Sequence, residues 1–159
     1  MVIGLGSPFL SDDSVGPRVV RELAGRNLPG VRLVESHAGG LLLLEELDGA
    51  ERAVIVDALL DERRTAGEIV VADISVASNN ISCSHDCSLP EALTIGRAMG
   101  MSLPADDDIC LVGIVAKDVT TLSERLTPDV AAAVNKACDT ICRLLANLHP
   151  ERRLYEYTD

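Results

Sequence analysis

Apolar residues follow two rhythms along this chain. MVIGL (1–5) reads as a short strand, and VRLVE (31–35) as a second. Between them Val15, Val19 and Leu23 recur four apart within 12–28, the spacing of one helix face. Ala38-Gly39-Gly40 opens a further helix that runs to about Leu47. AVIVDALL (53–60) is almost continuously apolar, the pattern of a strand buried on both faces. GEIVVADI (67–74) and CLVGIV (110–115) supply strands four and five. A helix is predicted over 88–100, where Ser88-Leu-Pro-Glu91 has the form of a capping box. Thr127-Pro128 starts a long alanine-rich helix that ends near Leu148. Strands separated by helices imply right-handed crossovers and an α/β fold, a mostly parallel five-stranded sheet with helices on both faces.

Two polar stretches interrupt the pattern. SVASNNISCSHDC (75–87) has neither period and reads as a loop, and PADDD (104–108) as a short acidic turn. Neither a repeat nor a second domain is visible, so 1–149 is expected to be one domain and 150–159 a loosely attached tail.

Composition narrows the function classes. Apolar residues make up 47% of the chain but aromatics only 2%, so the core has to be built from Val, Ile, Leu and Ala. The formal net charge of −11 has no basic cluster to offset it, and a nucleic-acid partner is not expected. No stretch approaches the roughly 20 apolar residues of a membrane span, and no membrane partner is expected. The first residues are already strand-like and lack a basic n-region or cleavage signal, which points to the cytoplasm. Five cysteines, an odd number, suit a reducing compartment better than a disulfide framework.

In an open α/β sheet, ligands collect beyond the carboxyl ends of the strands, near the point where strand order reverses. Three polar features are predicted to fall there: Asp12 and Asp13 after strand one, Asp57 near the end of strand three, and His85 in the long polar loop. Asp57 stands out because a carboxylate between Val56 and Ala58 in a buried strand needs a partner, a hydrogen bond or a cation. Two carboxylates and an imidazole from three strand ends form the donor set of a transition-metal site. Plainer roles stand beside this reading: helix capping for one of Asp12 and Asp13, a cap or ion pair for Asp57, a hydrogen-bonded loop position for His85. Cys83 and Cys87 flank His85 as a thiolate site, a Cys/His nucleophile pair or ordinary half-buried thiols. Cys110, Cys138 and Cys142 read as core residues, His37 as an exposed loop residue and His149 as a solvated one in the tail.

Gly4-Leu5-Gly6 raises the alternative of a dinucleotide loop and a nucleotide-dependent oxidoreductase. That motif needs a third glycine where this chain has Phe9, and a bare helix N-terminus where it has Asp12 and Asp13. The cation reading is the stronger.

The same residues resemble the hydrogenase maturation endopeptidases. GLGSPFLSDDSVG matches that family's opening G-x-G-N-x-L-x-x-D-[DE]-x-x-G, with Ser7 in place of Asn. VIVDAL, SHDCSLPEAL, LVGIV and the Leu-Thr-Pro before the last helix follow in the family's order, over about residues 1–148. The resemblance implies a three-layer α/β sandwich and an endopeptidase that removes a C-terminal extension from the nickel-loaded large-subunit precursor of a [NiFe] hydrogenase. It places the metal-contacting, catalytic positions on Asp13, Asp57 and His85, with no separate nucleophile. Nickel is expected to come mainly with the precursor, no organic cofactor is expected, and a monomer is favoured. Gly39 and Gly40 are candidates for holding the substrate chain through backbone N–H groups. A non-catalytic, metal-checking chaperone of the same precursor is the competing reading, and a spore-protein peptidase of the same fold a weaker one.

Overall fold

The computed structural model describes residues 1–37, 39–74 and 88–148. The polar loop 75–87 and the tail 149–159, on which several expectations rest, lie outside the described residues.

Five strands form one sheet: β1 (Val2–Leu5), β2 (Leu33–Ser36), β3 (Ala53–Leu59), β4 (Ile69–Asp73) and β5 (Ile109–Val115). Their spatial order is β2-β1-β3-β5-β4. β1, β2, β3 and β5 are mutually parallel, and only the edge strand β4 runs antiparallel, along β5. No helix separates β3 from β4, so the chain turns at the carboxyl end of β3 and comes back down the sheet. β1 lies between β2 and β3, and the chain leaves it first to one side and then to the other. The reversal therefore sits above the carboxyl ends of β1 and β3.

Among the described residues four α-helices cover the sheet: α1 (Val15–Ala24), α2 (Leu43–Leu47), α3 (Leu89–Ala98) and α4 (Pro128–Leu148). Side chains alternate across β3 and divide the core between two faces. Val54, Val56 and Ala58 pack with Val15, Val19 and Leu23 of α1 and with Val130, Ala137 and Ile141 of α4. Ala53 and Ile55 pack with Leu43 and Leu47 of α2 and with Leu89 and Leu93 of α3. The capping box predicted at Ser88 is present: the Ser88 N–H and hydroxyl both donate to Glu91, at 2.8 and 2.7 Å.

Small residues set how closely α1 approaches the sheet. A Cβ on Gly16 would lie 2.2 Å from the Leu5 carbonyl oxygen and 2.6 Å from that of Val56. A Cβ on Gly4 would lie 2.2 Å from the carbonyl oxygen of Gly16. With both side chains missing, the first turn of α1 rests on the backbone of β1 and β3, and the loop before it is held directly over their carboxyl ends.

Candidate active site

That loop begins at Gly6, whose φ of +131° is one that side-chain-bearing residues rarely adopt. A Cβ there would lie 1.8 Å from the Asp13 carbonyl oxygen, so only glycine lets the loop close on itself. The closure is fastened by the Ser7 N–H, which donates to Asp13 Oδ2 at 2.7 Å. A donor that a phosphate-binding turn would offer to its ligand is therefore spent on a carboxylate of the protein.

Asp12 and Asp13 are neighbours with different work. Asp12 is fully buried, and its carboxylate accepts from the backbone N–H groups of Lys117 (2.9 Å), Asp118 (3.0 Å) and Thr127 (2.6 Å). It also accepts from the Thr127 hydroxyl at 2.9 Å. The plainer expectation, that one of Asp12 and Asp13 caps the helix that follows, does not hold. No side chain caps the 3-10 turn Ser11–Ser14 or α1. Asp12 instead ties the first loop to the segment between β5 and α4, where four donors converge on one buried charge. Asp13 is half-buried, and the Ser7 N–H is its one recorded hydrogen-bond donor among the described residues.

Asp57 sits two residues from the end of β3, buried, and accepts the N–H of its own neighbour Ala58 at 2.8 Å. It pairs in register with Gly113 of β5, so no side chain stands beside it on that strand. Burial pushes its carboxyl up to about 7, against the pull of the Ala58 hydrogen bond and with further repulsion from Asp13. Among the described residues neither Asp13 nor Asp57 has an ion-pair partner. Two acidic side chains are thus coupled at the switch point, and among the described residues no cation pairs with either. This arrangement favours either a proton held on Asp57 or a bound divalent ion.

His85, the third predicted site residue, and the flanking Cys83 and Cys87 lie outside the described residues. Among the described residues no three potential ligands cluster. The carboxylate oxygens of Asp13 and Asp57 are hard donors that suit a divalent metal, and they are the part of the donor set on view. Gly39 is extended, and Gly40 is buried with φ +59°, opening the 3-10 turn Gly40–Leu42 at the carboxyl end of β2. His37 is exposed as expected but is not idle: its Nδ1 lies 2.7 Å from the Gly6 carbonyl oxygen and links the ends of β1 and β2. Its position just past a predicted strand was the available signal for that contact. Cys138 is buried, and burial pushes its thiol up to about 11, as suits a core position. Cys110 and Cys142 are half-buried and pack against the core from its margin.

Residues 17–144 match the family model described as hydrogenase maturation protease. The hydrogenase 2 maturation protease of Escherichia coli (strain K12) is 25% identical over 150 residues, covering 91% of this chain and 89% of that protein. Among solved structures, the hydrogenase maturating endopeptidase HybD from E. coli superposes with a TM-score of 0.76 at 25% identity, covering 93% of this chain and 92% of that one. The [NiFe] hydrogenase maturation protease HybD from Thermococcus kodakarensis gives 0.66 at 26% identity, covering 90% and 96%.

Proposed function

Because the chain belongs to the hydrogenase maturation protease family, and is thus an endopeptidase, we propose that it removes a C-terminal extension from the nickel-loaded large-subunit precursor of a [NiFe] hydrogenase, acting in the cytoplasm as a monomer. The observation that carries this reading is the pair of Asp13 and Asp57 over the switch point, without an ion-pair partner among the described residues and with the Asp57 carboxyl raised to about 7. A pair so placed gains most from a cation that arrives with the substrate.

Nickel is therefore read as part of the substrate. Asp13 and Asp57, with His85 as the third donor, complete its coordination and test whether the precursor is loaded. A metal at the scissile bond polarises the carbonyl or lowers the pKa of an attacking water. Ser7 orients Asp13 through its N–H, Ala58 orients Asp57, and Asp12 holds the loop that presents Asp13. Gly39 and Gly40 offer backbone N–H groups to the substrate chain beside His37.

Incubating purified precursor, with and without nickel, and measuring its mass tests the reading. The loaded precursor is expected to shorten, the unloaded one to stay intact, and Asp57→Asn and His85→Ala to leave both uncut. Cleavage by either variant at the wild-type rate, or of the unloaded precursor, sinks the metal-reading mechanism. Binding of the precursor without any shortening assigns a chaperone role instead.

A further inference from the structure

Among the described residues the core is built without aromatic side chains, and the single phenylalanine of the chain is on the surface. Phe9 is 59% exposed, and it is the only Phe, Trp or Tyr among the described residues. It is one of five large apolar side chains among the described residues that are exposed on segments leaving the same end of the sheet. Leu122 is 81% exposed, Leu42 61%, Leu60 55% and Leu41 49%. Each belongs to a segment that follows the carboxyl end of a parallel strand: Phe9 after β1, Leu41 and Leu42 after β2, Leu60 after β3, Leu122 after β5. At the usual spacing between strands, four adjacent ends span roughly 14 Å. That is the width of a small protein contact.

The best-defined part of this rim is held in place by backbone contacts. Leu10 bridges to Leu122, the Ser123 N–H donates to the Phe9 carbonyl at 2.9 Å, and the Ser11 N–H donates to the Ser123 carbonyl at 2.8 Å. Asp12 adds its buried hydrogen bonds to Lys117, Asp118 and Thr127. Phe9 and Leu122 are thus presented to solvent by a preformed loop pair, so ordering them on binding costs little entropy.

We propose that Phe9 and Leu122, with Leu41, Leu42 and Leu60, form an apolar collar around Asp13 and Asp57 that seats a protein partner whose surface is apolar around a cationic centre; on the function proposed above, that partner is the precursor. Charge decides among occupants. A second copy of this chain, at net −11, would bring its own Asp13 and Asp57 against this pair, and like charges facing each other oppose the contact. A partner with a cation at its centre removes the repulsion between Asp13 and Asp57 and buries the collar at once. The exposed Ile95 on α3 and Met99 just past its C-terminus belong to a different segment, and supply an internal control.

The test uses the full chain and purified nickel-loaded precursor. Phe9→Ser and Leu122→Ser remove exposed side chains, and circular dichroism with a urea midpoint checks that both variants fold. The double variant is expected to raise KM for the precursor by about tenfold or more, the scale of a lost aromatic anchor, with kcat unchanged. Met99→Ser is expected to leave KM as in the wild type. Calorimetric titration with the precursor is run in the Asp57→Asn background, where binding is read without cleavage, and the collar substitutions are expected to weaken it by the same factor. Precursor that binds through the collar and is never cut upholds the collar and removes the protease function. Precursor that is cut while the collar variants keep KM and Kd removes the collar and leaves the protease function standing. A failure of the precursor to bind, or a self-associated protein that the collar substitutions turn into a monomer, overturns the proposal.

Discussion

Replacing Asp57 by Asn keeps the shape of the side chain and the oxygen that accepts the Ala58 N–H at 2.8 Å, and removes only the ionisation. The native carboxyl is raised from 3.8 to about 7, with burial the largest cause and Asp13 a lesser one. Below the unfolded value both states hold the proton, and ionisation makes no difference to stability. As pH rises from about 4 to 7 the unfolded chain releases its proton while the native protein keeps it, so the native state loses ground through this window. Above 7 the full penalty stands, roughly 4 kcal/mol at about 1.4 kcal/mol per pKa unit. Asp57→Asn escapes it. The variant is expected to match the wild type near pH 4 and to exceed it by up to about 4 kcal/mol at pH 8. Precursor cleavage is expected to be lost over the same range. Urea unfolding at several pH values with a metal chelator present measures the difference, provided the m-values agree. A variant no more stable than the wild type at pH 8 would refute the reasoning, since it would mean that the native carboxylate is compensated after all. Stability given up at a functional position is the expected pattern for a group kept for chemistry.

Two further substitutions probe what holds the site in place. Asp12→Ala leaves the N–H groups of Lys117, Asp118 and Thr127 without their acceptor, and is expected to lower stability by about 3 kcal/mol or more. The urea midpoint reads it, and a change below about 1 kcal/mol would show that Asp12 is not the tie described. Gly16→Ala puts a Cβ within 2.2 Å of the Leu5 carbonyl oxygen, which lifts α1 from the sheet at a cost of about 3 kcal/mol. Because the 3-10 turn that carries Asp13 runs directly into α1, precursor cleavage is expected to fall further than the folded fraction does. Cleavage that tracks the folded fraction alone would separate the packing from the site.

Much of this protein is local and could be read along the chain. A strand or helix declares itself by its own period, and the five strands and the long terminal helix lie within a few residues of where the apolar pattern puts them. Asp57 was legible for the same reason: a charge inside AVIVDALL breaks a buried run, and the desolvation cost makes it conspicuous without any knowledge of its neighbours. The tertiary structure decided what depends on partners far away in sequence. Asp12 and Asp13 are adjacent and chemically identical, yet one is sealed by donors 105 to 115 residues away and the other is half-buried and fastened only locally, to the Ser7 N–H, among the described residues. No local rule separates them, because a hydrogen bond to Thr127 leaves no mark at position 12. The hydrogen-bonded contact of His37 with Gly6, the antiparallel course of β4 and the pairing of Leu10 with Leu122 are of the same kind. Sequence determines which residues must be buried or charged. The assignment of each to bracing, chemistry or recognition waits for the fold, since it is set by contacts between segments that only the closed sheet brings together.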